Sequence, residues 1–175
     1  MTPPRMRSVS ISWDGRVGRF SAVGSRSAHT ITVNGPSPPG EDRPPNGFSA
    51  TELLLAGAGA CSAWDVVEIL RKQRAELTAL AVTVEGRQAS AQPWHYEHVA
   101  LHFRLAGAGL RPGVVKRVVR LSIERYCSVV ATIRGVAAIE ATVEIVAADG
   151  TTSGRLPVDL RARAADSGRQ PDRFG

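Results

Sequence analysis

The chain has 175 residues, 43% hydrophobic and 22% charged, which is enough for one domain with a sizeable core and too apolar for a disordered chain. A net charge of +6 raises the question of nucleic acid or an acidic membrane. The basic residues are dispersed, however, and at 5% aromatic content there is no stacking platform for bases, so an arginine-rich solvated surface accounts for the charge and neither partner is expected.

In chain order, Val9-Ser10-Ile11-Ser12-Trp13 alternates before an Asp14-Gly15 turn, a hairpin signal, and Arg19 to Val23 and His29 to Val33 read as two further strands. Pro36 to Gly47 is rich in proline and glycine and reads as a loop. Ser49-Ala50-Thr51-Glu52 matches a capping box, with Ser49 capping a helix and Glu52 bonding back to its amide. From Leu53 to Ala63 every residue is apolar or small, so this helix is expected to be buried on all sides, with Gly57 and Gly59 allowing another backbone close. The run is too short for the roughly 20 residues of a bilayer span. Amphipathic character follows from Asp65 through Arg74.

Leu80, Val82 and Val84, then Val99, Leu101, Phe103 and Leu105, alternate with polar or small residues as half-buried strands do. Val114 to Arg125 resumes helical periodicity, Tyr126-Cys127-Ser128 marks its end, and Ile139, Ala141, Val143 and Ile145 form a last alternating strand. Thr151 to Gly175 lacks periodicity and is expected to be a poorly ordered tail after a domain of residues 1–150. Strands, long helix, strands, helix and strand together indicate α+β with an antiparallel sheet.

Two cysteines cannot staple a scaffold, and no leader-like pattern opens the sequence, so a reducing, cytoplasmic setting is expected in which the thiols are chemical rather than structural. Cys61 falls in the middle of the all-apolar helix and Cys127 lies just beyond the second helix; neither belongs to a CxxC motif, which excludes zinc-ribbon and thioredoxin readings. A nucleophilic Cys61 needs a cation or strong donor to offset burial, and Arg16, Arg19 and Arg26 are candidates. Glu52, about two and a half turns before Cys61, could orient such an arginine. Asp65, one turn after Cys61, would raise the thiol pKa if it faced it. His98 and His102 share one face of a strand but stand about 13 Å apart, too far for one metal ion.

Two stretches carry a family likeness. One runs from Gly47-Phe48-Ser49-Ala50-Thr51-Glu52 through Ala60-Cys61-Ser62-Ala63-Trp64-Asp65-Val66-Val67 to Lys72, and the other is Leu121-Ser122-Ile123-Glu124-Arg125-Tyr126-Cys127-Ser128-Val129. Together they resemble the OsmC/Ohr family, named for osmotically inducible protein C and the organic hydroperoxide resistance protein, over roughly residues 8 to 147. The sequence around the cysteines is nearer the OsmC-like branch than the hydroperoxide enzymes.

The resemblance implies an intertwined homodimer with two central helices between antiparallel sheets. It further implies a thiol peroxidase reducing organic hydroperoxides or hydrogen peroxide; separately, the histidine spacing and the lack of a CxxC motif lead to an expectation of no metal, and no cofactor is expected. Cys61 would be peroxidatic and form a sulfenic acid, Cys127 would resolve it to a disulfide, and a dithiol reductant of dihydrolipoyl type would reopen that bond. An arginine, here Arg19, salt-bridged to Glu52, would hold the thiolate. The competing expectation for the same fold is a non-enzymatic redox sensor or an apolar-ligand binder.

Overall fold

The computed structural model describes residues 6–27, 29–36, 40, 43–147 and 149–161 and divides into two compact units, residues 1–57 and 58–175. In the first, the alternating segments form β1 (Val9–Asp14), β2 (Arg19–Gly24) and β3 (Thr30–Asn34), an antiparallel sheet in that order. Asp14 makes the expected turn, its carboxylate accepting from the Arg16 amide. Past the loop, Phe48 bridges Val33 in parallel and its carbonyl accepts from the Asn34 amide.

The long helix α1 (Ala50–Lys72) begins in this unit and contributes its residues from Ala58 onward to the second. Its capping box forms as the sequence required. The Ser49 amide donates to Glu52 Oε2 at 2.7 Å and the Glu52 amide donates to Ser49 Oγ at 3.1 Å, satisfying two donors that a helix start leaves unpaired. The helix ends with Arg74 in the left-handed region at φ 58 and the Ala75 amide reaching back to the Leu70 carbonyl, the bond that closes a Schellman turn.

The second unit is built on β4 (Glu76–Gln88), β5 (Tyr96–Ala108), β6 (Ala138–Val146) and β7 (Leu156–Pro157), hydrogen-bonded in that order. The β4–β5 and β6–β7 pairs are antiparallel, but β5 and β6 run parallel, so the expected antiparallel sheet is a mixed one. The reason is the connection. Between β5 and β6 the chain passes through α2 (Pro112–Leu121), a π-helical turn over Ser122–Tyr126, and α3 (Ser128–Ile133), a crossover long enough to return the chain to the end from which β5 started. Val99, Leu101, Phe103 and Leu105 of β5 and Ala141, Val143 and Ile145 of β6 are buried, as their alternation implied, with Val115, Val118 and Val119 of α2. The polar positions pair along the ladder instead, His98 with Glu140 at 3.3 Å and His102 with Glu144 at 3.4 Å.

Two expectations are corrected here. Within the chain α1 is not buried on all sides. Its buried residues, Ala58, Gly59, Ser62, Val66 and Leu70, recur along one face, while Leu54 and Trp64 are exposed. The tail also does not begin at Thr151. Ser153 exchanges hydrogen bonds with Ile145, β7 pairs with β6, the Val158 amide donates to the Ala141 carbonyl, and the Arg161 amide donates to Glu124 Oε1 at 2.7 Å. A polar, proline-containing segment without periodicity can still add an edge strand, because the ladder uses backbone groups that composition does not reveal. The rest of the expected tail, residues 162–175, lies outside the described residues.

Candidate active site

Three pieces of the second unit converge on one spot. The buried face of α1 brings Cys61, Ser62 and, one turn on, Asp65; the π-helical turn brings Ser122; and the loop into α3 brings Cys127 and Ser128. The two sulfurs and a carboxylate oxygen of Asp65 all lie within 4.8 Å of one another. Sixty-six positions of sequence are thus closed into a single constellation, with Cys61 half-buried and Cys127 buried.

The local backbone explains the approach. A π-turn carries its hydrogen bonds one residue further than an α-turn and so rotates the side chains that follow it. Here the Cys127 amide donates to the Ser122 carbonyl at 2.8 Å, the π-turn's closing bond, and Cys127 itself is extended (φ −69, ψ 102) as the N-cap of α3. In that capping position its Sγ accepts from the Val130 amide at 3.4 Å. Ser122, fully buried, fastens the turn to α1 by donating to the Ser62 carbonyl at 3.0 Å, and its Oγ lies 3.3 Å from Asp65 Oδ2. The Ser62 hydroxyl sits between the Ala58 carbonyl (2.8 Å) and Cys127 Sγ (3.2 Å), its one proton serving both.

Electrostatically the two thiols differ. Burial works against ionisation of Cys61, but it is outweighed by hydrogen bonds from the Val129 amide, the Cys127 thiol, the Ser128 hydroxyl and the Ser128 amide, and the pKa falls below the ordinary thiol value. Burial pushes Cys127 up, and the neighbouring Cys61, which takes its hydrogen bond and carries the charge, adds to the rise despite the donors Ser62 and Val130. Of the two thiols Cys61 is therefore the one that ionises more readily, with Cys127 holding its proton more tightly. Burial also raises Asp65, against the hydrogen bond from Ser122. A carboxylate oxygen of Asp65 does lie within 4.8 Å of both sulfurs, yet it is burial, not Asp65, that opposes ionisation of Cys61.

Arg19 and Glu52 belong to the first unit. Arg19 is exposed at the start of β2, opposite Asp14 and Asn34 in register, and Glu52 is held by the Ser49 amide, the hydrogen bond that chiefly lowers its pKa. Among the described residues no ion pair joins the two. Ser62, Ser122 and Ser128 were missed by sequence reasoning. Their only sequence signal is that each adjoins a cysteine or lies in the helical stretch before one.

Residues 40–142 match the model of a family described as OsmC-like protein. Protein YhfA of Escherichia coli K12 is 37% identical over 124 residues, covering 71% of this chain and 88% of YhfA. Among solved structures, a hypothetical protein from Aquifex aeolicus VF5 aligns with a TM-score of 0.71 at 25% identity, covering 82% of this chain and 98% of that one. An organic hydroperoxide resistance protein from Elizabethkingia anophelis shares the fold with a TM-score of 0.62 at 14% identity, covering 82% and 98%.

Proposed function

The chain belongs to the OsmC-like protein family, and on that premise we propose that it is a thiol-dependent peroxidase reducing organic hydroperoxides or hydrogen peroxide. The observation that carries the reading is the asymmetric thiol pair: a half-buried Cys61 with a lowered pKa, within 4.8 Å of a buried Cys127 with a raised one. The Cys61 thiolate attacks one peroxide oxygen and the O–O bond breaks. The alkoxide or hydroxide leaves and takes up a proton, and Cys61 becomes a sulfenic acid. The Cys127 thiol then attacks the Cys61 sulfur, water departs with the thiol proton, and a disulfide forms. The separation in the reduced state exceeds the roughly 2.05 Å of an S–S bond, a gap that side-chain rotation and a small shift of the α3 entry close. A dithiol reductant of dihydrolipoyl type reopens the bond by thiol exchange and carries the two electrons away as its own disulfide.

Arg19 is assigned the part of an activating cation and Glu52 that of its holder, an addition to the amide donors at Cys61. A guanidinium offers a bidentate grip that an ammonium cannot. Arg19→Lys and Glu52→Gln are expected to slow sulfenate formation and shift its pH profile upward, the arginine change more strongly. A wild-type profile for Arg19→Ala would remove Arg19 from the mechanism and turn attention to Arg16 or Arg26. We place the protein in the cytoplasm, where such a dithiol cycle runs.

The decisive experiment is peroxide consumption by the reduced protein in stopped flow, with and without a dithiol. Cys61→Ser should abolish it with the fold intact, whereas Cys127→Ser should complete one oxidation and stall as a sulfenic or over-oxidised Cys61, seen by mass spectrometry. Unchanged consumption in Cys61→Ser ends the peroxidase reading. A stoichiometric oxidation to a disulfide that a dithiol reverses too slowly to sustain peroxide consumption would make the protein a redox sensor instead.

A further inference from the structure

We propose that, in its reduced form, the protein binds one zinc ion through Cys61 Sγ, Cys127 Sγ and the Asp65 carboxylate. Two sulfurs and one oxygen are a donor set suited to this borderline-soft ion, and three protein ligands with one open position is a familiar zinc arrangement. Tetrahedral zinc, with Zn–S about 2.3 Å and Zn–O about 2.0 Å, sets ligand atoms about 3.5–3.8 Å apart, so the present upper limit of 4.8 Å has to close by no more than about 1.3 Å. Rotation about the side-chain torsions of the half-buried Cys61 and Asp65 provides it.

The groups behind the ligands are already in place, and metal sites depend on such support. Cys61 Sγ lies 3.9 Å from Ser128 Oγ, Cys127 Sγ accepts from the Val130 amide and the Ser62 hydroxyl, and Ser122 Oγ lies 3.3 Å from Asp65 Oδ2 on the side of the π-turn. The first turn of α3 thus supplies a donor to each sulfur, and the π-turn supplies the one to the carboxylate. Ser128 Oγ, 3.9 Å from Cys61 Sγ, or a water can take the fourth position, and the partial exposure of Cys61 and Asp65 provides an entry path. The expectation of no metal rested on histidine spacing and the absence of CxxC, and no sequence motif joins ligands that only the α1–α3 packing brings together. A zinc ion held by both sulfurs occupies the nucleophile and the resolving thiol at once, so the loaded protein is a protected, unreactive reduced state.

The test is titration of the reduced full-length protein with cobalt(II), followed by displacement with zinc. Expected are a sulfur-to-cobalt charge-transfer band saturating at one ion per chain, its loss on zinc addition, and its absence in Cys61→Ser, Cys127→Ser and the disulfide form. In Asp65→Asn, shown to be folded by its melting curve, affinity should fall by no less than the roughly 10–100-fold that loss of an outer partner costs at a metal site. No saturable band in the wild type, or a band in Asp65→Asn of unchanged affinity, overturns the proposal. Peroxide consumption is measured separately on chelator-treated protein. A chain that binds cobalt but consumes no peroxide loses the peroxidase reading and keeps the metal site, and the converse result does the reverse.

Discussion

At the scale of single residues, the site sets chemistry against stability most plainly at Asp65. Its folded pKa is raised above 3.8 by burial, so the ionised carboxylate is less welcome in the folded chain than in the unfolded one. The sign follows from linkage: below pH 3.8 the residue is protonated in both states and contributes nothing unfavourable, and the penalty grows as pH rises through the folded pKa and stays constant above it. Asp65→Asn should therefore be more stable than the wild type at neutral pH, with the difference shrinking to nothing as the pH falls below 3.8. Chemical denaturation across pH 3 to 8 measures this, and a variant less stable at pH 7 would show that the Ser122 bond outweighs the burial cost. An acid kept at a site at the expense of stability is the pattern of a working residue.

At the scale of elements, the long helix α1 rests on glycine where it meets the sheet. A Cβ built on Gly59 would stand 2.8 Å from Val84 Cγ2 of β4, too close for a stiff, β-branched neighbour to accept. Gly59→Ala should cost about 1–3 kcal/mol in overpacking, against a gain of about 1 kcal/mol in helix propensity. In a Val84→Ala background the clash is gone and the same change should become stabilising. Equal signs in both backgrounds, read from urea midpoints, would disprove the contact. The segment after β6 offers a second test. Ending the chain at Gly150 removes three hydrogen bonds that Ser153 and Val158 make to β6 and the buried Val158 side chain, which at about 1 kcal/mol per bond and 1.5 kcal/mol or more for a valine comes to about 4–5 kcal/mol. An unchanged melting temperature would restore the reading of residues 151–161 as a loose tail.

The elements also show what the sequence could and could not reveal. The alternation from Val99 to Leu105 and the capping box at Ser49 are local patterns, and both formed as read. The parallel pairing of β5 with β6 and the short helix α3 were missed, since strand direction depends on the length and path of the crossover, and six residues of helix carry too little periodicity to register. The thiol pair was legible only through family likeness. Ser122, which ties the π-turn to α1 across sixty positions, leaves no local trace.

For the whole molecule, the question is what covers α1. Its most apolar 18-residue window has a mean hydropathy of 1.6, yet only 28% of it is buried within the chain, and Trp64 is 73% exposed. By length and composition this helix could cross a bilayer, contrary to what the shorter run from Leu53 to Ala63 indicated. The physical case against a span is that Asp65 and Glu68 lie in its second half, each charged group costing about 2.5–3.5 kcal/mol near a membrane centre, while its Ser62 face is already packed on the π-turn. A second copy of the chain would cover the remaining apolar side at no such cost, and on that ground we propose the homodimer that the family likeness implied. We therefore expect the wild type to sediment as a dimer at micromolar concentration without detergent. Trp64→Glu should weaken the dimer by about 2 kcal/mol or more, roughly thirtyfold in Kd, if the indole is an anchor of the interface. A monomeric wild type, or one soluble only in detergent, would refute the second copy, whereas a Trp64→Glu dimer of unchanged affinity would move the interface off this face of α1.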